Sequence, residues 1–266
     1  MSYSVQFRSL AIAALICSFA SLASAQSEDH DVGISSVRAQ HGISLGFEFG
    51  YGADYQQGSF PSSGFFDGLF DNGKGSGLMG AIFFEMPVSR SFSVGLRAGI
   101  NSESTSQTQQ KSESAIVVDP DTIMNVLVNQ TADVDVSYLS ISPQIYFRPF
   151  ETGLFLSVSP ALSILLSSRY SQTQNFPSTT TIEGIPHNLR FSNGAGTETL
   201  QYGQLPDANS IRFSALFSLG YDLPVGNVTI APIVTYDYPF TTVRNTNENN
   251  WKIASLYGSL GLKFKL

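Results

Sequence analysis

Charge is scarce in this chain. Asp, Glu, Lys and Arg make up 13% of its 266 residues, against a usual share of about 25%. What charge there is leans acidic, with 14 Lys+Arg against 21 Asp+Glu and a net of -7. That balance excludes nucleic acid as a partner, because phosphate backbones are held by basic patches. Cysteine is limited to Cys17, and histidine to His30, His41 and His187. Beyond residue 25 no run of about 18 apolar residues occurs, which excludes a membrane helix. Aromatic residues and glycine, in contrast, are plentiful: 20 Phe, 11 Tyr and 23 Gly. Low charge with much Gly, Ser and aromatic surface suits a protein whose outside does not face water.

Residues 1–25 read as a leader. Arg8 supplies a positive start, Leu10–Ala23 an apolar stretch, and Ala23-Ser24-Ala25 a small-residue cleavage site. Cleavage before Gln26 removes Arg8 and takes the net charge from -7 to -8. Cys17 leaves with it, and no disulfide, thiol nucleophile or Cys-held metal remains. A lipid anchor at Cys17 calls for a small residue before it, and Ile16 is large. An exported chain this apolar is a soluble exported β protein or a transmembrane β-barrel. Gln26–Gln40 is a short polar lead-in on the periplasmic side.

Period two runs through the rest. "GISLGFEFGYGA" puts Ile43, Leu45, Phe47, Phe49 and Tyr51 on one face and Ser44, Gly46, Glu48 and Gly50 on the other. "FSVGLRAGIN", "YLSISPQIYFRPF", "GLFLSVSPALSILLS", "IRFSALFSLGYDL" and "VTIAPIVTYDY" repeat the scheme, with Ile233 as an exception. "SGLMGAIFFEM" follows it less strictly, and the closing "SLYGSLGLKFKL" makes an eighth segment. One face is apolar and aromatic. The other is small, Gly and Ser with scattered charge. A soluble sheet turns Lys- and Glu-rich faces to water; small polar residues suit the cramped inside of a narrow barrel whose apolar side meets lipid.

Connector lengths alternate strictly. Pro87–Ser91, Arg148–Gly153 and Leu223–Asn227 are tight, whereas Ala53–Gly75, Ser102–Thr131, Tyr170–Ser210 and Thr242–Asn250 are long and polar. An up-and-down membrane barrel has this asymmetry, with short periplasmic turns and long extracellular loops. It also explains a chain that ends inside a strand, since in a closed barrel the last strand pairs with the first. Leu256, Leu260, Leu262, Phe264 and Leu266 then face lipid, and Ser259, Gly261, Lys263 and Lys265 face inward. Pro143, Pro160 and Pro232 each delete a ladder hydrogen bond. A local bulge where Pro143 meets Pro160 would accommodate them. Tyr51, Tyr138, Tyr238 and Trp251 are expected at the outer membrane interface, and Phe92, Phe150, Tyr221 and Phe264 at the inner one.

The ending Ser259-x-Gly261-x-x-Phe264-x-Leu266 resembles the C-terminal assembly signal of bacterial outer-membrane proteins, although many of those end in Phe. With the paired segments "YLSISPQIYFRPF" and "LFLSVSPALSILLS", the chain is similar over residues 41–266 to small porin-family, OmpA/OmpX-type outer-membrane barrels. The resemblance implies an all-β, up-and-down antiparallel transmembrane barrel of eight strands, or ten if "ESAIVVD" adds a hairpin. It implies Sec export to the outer membrane, contact with membrane lipid and lipopolysaccharide, and recognition of the last strand by the barrel assembly machinery.

Eight strands leave a lumen that side chains can fill. The inward charges are Glu48, Glu85, Arg97, Asp222, Asp237 and Lys263, with Arg212 near the outer mouth. They are expected to pair as a plug, because a lone buried charge is costly; a narrow pathway for ions or small solutes is the alternative. His187 with Glu183 and Ser192 is a loose triad and is given no catalytic role. Asp119, Asp121, Asp133 and Asp135 lack calcium-loop spacing, so no metal and no cofactor is assigned. "GFFDGLF" places Phe65, Phe66, Leu69 and Phe70 in an external loop, a candidate contact site. The expected role is therefore structural or surface contact through the loops.

Overall fold

Eight long strands follow the period-two segments. They are β1 (Ser44–Gln57), β2 (Lys74–Pro87), β3 (Phe92–Val117), β4 (Thr122–Phe147), β5 (Leu154–Phe176), β6 (Ile211–Tyr221), β7 (Val228–Pro239) and β8 (Lys252–Lys265). The computed structural model describes residues 42–58, 60–61, 69–70, 72–117, 122–150, 152–182, 185–191, 196–244 and 250–266. Each strand pairs antiparallel with the next, and β1 closes the ring on β8 from Ser44↔Lys265 to Gln57↔Lys252. The Leu266 amide then donates to the Ile43 carbonyl at 2.9 Å. Closure leaves the membrane part of the sheet without an edge. The side chains alternate as the pattern requires. Phe49, Leu78, Ile100, Ile145, Ile164 and Phe213 are exposed outward, while Ser142, Ser159, Ser214 and Ala231 are buried within.

The turns at the end bearing both strand termini are tight. Gly226-Asn227 joins Val225 to Val228, and Gly226 adopts φ 61°, a conformation open to glycine at little cost. The other end differs from the sequence reading. Ser102–Thr131 is not a loop: β3 and β4 pair without a break from Phe92↔Phe147 to Val117↔Thr122. The described part of "ESAIVVD", Glu113 to Val117, continues β3 rather than starting a ninth strand. The outward face of β3 turns polar at Ser102, and Ser102 to Val117 spans about 50 Å of strand at ~3.3 Å per residue. The described parts of Tyr170–Ser210 are likewise structured. β5 runs on to Phe176, Thr179–Ile182 and Ile185–Arg190 form a hairpin that meets Ile116 and Val117, and Gly196–Gly203 pairs back along β5. A small core of Ala115, Val126, Val128, Phe176, Leu189 and Phe191 holds this extracellular β-structure together.

Two other expectations change. The ladder keeps one register on both sides of the prolines, from Ile141↔Leu162 to Ile145↔Val158, so no bulge forms there. Instead the Ser159 hydroxyl donates to the Pro143 carbonyl at 2.6 Å, a bond no proline amide can supply. The bulge lies higher, where Ser137↔Ser167 is followed by Tyr138↔Leu165 and Leu166 has no opposite residue. Below it the inward residues of β5 are Phe155, Ser157, Ser159, Ala161 and Ser163; above it they are Tyr170, Gln172, Gln174 and Phe176. The second correction concerns Tyr138 and Trp251. They are 2% and 0% exposed and belong to an internal core, not to an interface belt. Strand one begins at Ser44, and His41 lies outside the described residues.

Candidate functional site

The inside of the barrel is built in three charged tiers. At the turn end, Lys263 and Arg148 each bridge Glu85 and Asp222. Lys263 Nζ lies 3.1 Å from Glu85 and 2.7 Å from Asp222, and Arg148 lies 2.7 Å and 2.9 Å from the same two carboxylates. Arg148 also donates to Ser93 Oγ at 2.9 Å. Both cations stand over the Phe155 ring, Lys263 at 4.6 Å and Arg148 at 5.5 Å from its centroid. Two positive and two negative groups in mutual contact leave no net charge in this tier.

In the middle tier, Arg97 Nε lies 3.0 Å from Glu48, which also accepts a 2.7 Å bond from Ser259 Oγ. Arg97 Nη2 reaches Met79 Sδ at 3.1 Å. Phe83, Leu216 and Ile233 fill the remaining width, and a cavity of ≈ 10 Å³ is left beside them. That is about the room of one water molecule. Ile233, the exception in its strand's alternation, points inward and packs against Tyr146, Phe155 and Ala231.

In the outer tier, Arg212 binds Glu103, Asp237 at 3.1 Å and the Ile253 carbonyl at 3.1 Å. Its guanidinium stands 5.3 Å from the centre of the Tyr138 ring. Asp54 is held separately, accepting from Ser255 Oγ at 2.6 Å and from the Ser104 amide at 2.9 Å. Arg212 is thus buried rather than at an open mouth. Leu205, Val243, Trp251 and Ile253 pack with Val134, Val136 and Tyr138 above it. The two loops that supply Leu205, Val243 and Trp251 are strapped together. The Asn209 amide donates to the Val243 carbonyl at 2.8 Å, and Arg244 Nε donates to the Pro206 carbonyl at 2.9 Å. Beside them the Tyr170 hydroxyl donates to Gln172 at 2.6 Å, and burial pushes the Tyr170 phenol up to about 12.

The structure brings Glu48 to Arg97, Glu85 and Asp222 to Lys263, and Asp237 to Arg212. Sequence reasoning missed Glu103, Arg148 and Asp54. Glu103 and Arg148 continue the inward parity of β3 and β4, but strand limits drawn at Asn101 and Phe147 left them out. In the last strand, Ser259 faces the lumen, and Phe264 faces lipid with its ring edge toward Phe47 at 6.4 Å. Gly261 sits where a Cβ would come within 3.3 Å of Ile233, and Leu266 is exposed. Lys265, expected inside, is exposed.

Phe65 and Phe66 lie outside the described residues; Leu69 and Phe70 pair through their backbones with Pro61 and Phe60. His187 is in a strand opposite Thr180, while Glu183 and Ser192 fall outside the description. Asp133 and Asp135 face outward on β4, with Asp135 opposite Arg169. Asp119 and Asp121 are not described, and among the described residues no group of three or more His, Cys, Asp or Glu is placed to hold a metal.

Among solved structures, the attachment invasion locus protein Ail of Yersinia pestis is similar at 12% identity and a TM-score of 0.33, covering 85% of this chain and 100% of its own. Neisserial surface protein A gives 12% identity and 0.36, covering 84% and 97%. CarO of Acinetobacter baumannii gives 16% and 0.33, covering 82% and 97%. No curated protein sequence matches the chain. A family model described as an outer membrane protein beta-barrel domain matches residues 24–245. With eight strands closed in a ring around a polar interior and an apolar face turned outward, the chain belongs to the outer membrane protein β-barrel domain family.

Proposed function

We propose that this protein is a non-conducting outer-membrane barrel that carries an extracellular β-structure for contact at the cell surface. The observation that supports it is the filled lumen. Three tiers of buried charge and the Trp251 core are stacked along the barrel among the described residues, and the cavity beside the middle tier is ≈ 10 Å³. A permeating ion would have to break buried charge pairs at three successive heights. The extension, in contrast, places many polar side chains tens of ångströms above the lipid-facing belt. Export with cleavage after Ala25 and recognition of Ser259–Leu266 by the assembly machinery belong to the same reading; Gln26 as the N-terminal residue of the mature protein is its mass-spectrometric signature. No catalytic step and no cofactor is assigned.

The test is electrical. Residues 26–266 are refolded, folding is checked by a heat-modifiable gel shift, and current is recorded across planar bilayers. A folded, silent barrel supports the closed reading. Discrete, reproducible current steps overturn it in favour of a narrow channel, with Arg97 and Glu48 the first residues to replace.

A further inference from the structure

Above the lipid-facing belt, the outward face of the extracellular sheet is laid out in rows. Pairing brings Thr108 opposite Thr131, Thr131 opposite Thr173, and Thr173 opposite Thr199. Four threonines thus stand side by side on adjacent strands, about 4.8 Å apart. The Thr108 and Thr131 hydroxyls are 3.0 Å from each other. The next row outward is Gln110, Asn129, Asn175 and Thr197, all exposed. The row below is Ser106, Asp133, Ser171 and Tyr202, and Tyr202 is 72% exposed.

A sheet face that meets only water normally carries Lys and Glu. The threonine row and the row above it carry no charge at all. Every side chain in them is a hydroxyl or an amide, and each both donates and accepts. This is the hydrogen-bonding character of a sugar, whose hydroxyls also do both. An anionic or cationic partner would find nothing opposite in sign in these two rows. Tyr202 adds a ring against which the C–H side of a pyranose can lie.

Position selects the occupant. This face is the upward continuation of the lipid-facing surface on the same strands: Leu96, Ala98 and Ile100 lead through Ser102 to Thr108 on β3, and Ile141 and Leu139 lead to Thr131 on β4. Whatever borders the belt in the outer leaflet also borders the face above it, and there the lipopolysaccharide carries its saccharide chains. We infer that the Thr108–Thr131–Thr173–Thr199 face is a docking surface for the neutral saccharide of surrounding lipopolysaccharide. The inference rests on the surface-contact reading above.

The test uses the mature chain in nanodiscs of phospholipid alone, with its threonine methyl groups isotope-labelled. The probe is the polysaccharide released by mild acid from lipopolysaccharide of the producing strain. Binding is expected to move the methyl resonances of the four threonines. The fourfold Thr→Val variant keeps shape and β-propensity and removes the hydroxyls; it is expected to bind at least tenfold more weakly. If that variant fails its gel shift, Asn129→Asp with Asn175→Asp serves instead, and two carboxylates in the array are expected to weaken binding as much. Unmoved threonine resonances, or variant affinity within twofold of wild type, would overturn the assignment. So would equal binding of plain dextran, or tighter binding of sulfated dextran. Each of these results leaves the closed barrel standing, whereas current steps in planar bilayers remove the reading beneath it.

Discussion

Replacing Arg212 by Met tests whether the outer tier holds the barrel together. Arg212 is 5% exposed and compensates Glu103 and Asp237, themselves 1% exposed. Met fills much of the volume but leaves two carboxylates without a cation, and it ends the bond to the Ile253 carbonyl. Breaking a buried ion pair from one side costs about 3–5 kcal/mol, most of it from the charge left behind. The argument therefore predicts that the loss is largely reversible by further substitution. The triple variant Arg212→Met, Glu103→Gln, Asp237→Asn removes both carboxylates that Arg212 binds and leaves Asp54 on its own donors, Ser255 and the Ser104 amide; it should recover to within about 1–2 kcal/mol of wild type, since neutral replacement of a buried ion cluster is often near neutral. Urea unfolding from lipid vesicles, read by gel mobility without heating, gives each free energy. Trp251, the single tryptophan, reports on the adjoining core in the same titration. A single variant within about 1 kcal/mol of wild type would refute the reasoning. So would a triple variant less stable than the single one, because both deny that stranded charge is the main cost.

Four further substitutions probe separate features by the same titration or by proteolysis. Gly75→Ala drives a Cβ into the Ser104 carbonyl oxygen and should cost about 1–3 kcal/mol by forcing β2 and β3 apart. Gly80→Ala, whose nearest neighbour is 3.6 Å away, should be mild, and equal effects would deny the close approach. Ser159→Ala removes the donor to Pro143 and should cost about 1 kcal/mol; an unchanged midpoint would mean that the proline carbonyl needs no partner. Trp251→Ala should open the loop core rather than the barrel, so that protease cuts within residues 240–251 at least tenfold faster while the gel shift persists. Loss of the shift would make Trp251 part of the barrel's own stability.

Much of the membrane part is legible because it obeys one strong contrast. Lipid demands large apolar side chains on alternate residues, and a narrow lumen admits small ones between them, so Phe47 and Glu48 or Leu96 and Arg97 declare their faces at once. The charges that fill the lumen follow from the same parity. Their partners follow less well, because pairing depends on height across the ring. Arg148 lies beyond Phe147 in a turn, yet it meets Asp222 at the edge of another turn and shares that carboxylate with Lys263 of the last strand. Trp251 and Tyr138 look like interface aromatics by type. What sends them inward is the loop strap at Val243 and the inward parity of β4, neither of which composition reveals.

The extracellular extension fails the same reading for a physical reason. Hydrophobic periodicity needs two unlike faces, and above Ser102 both faces of β3 are polar: Gln107 and Gln109 on one side, Thr108 and Gln110 on the other. Gln109, Gln130 and Gln174 form a hydrogen-bonded ladder inside the sheet at 3.1 Å and 3.0 Å while the threonines line its outside. Positions 108, 131, 173 and 199 have no visible relation in the sequence. Pairing alone aligns them, and pairing alone is not enough. Below Leu166 the odd-numbered residues of β5 face inward, so without the extra residue Thr173 would enter the interior and Tyr170 would leave its core. The Leu166 bulge thus lets one strand serve two surroundings. Its lower half obeys the lipid and the lumen, and its upper half presents a hydroxyl to the layer outside.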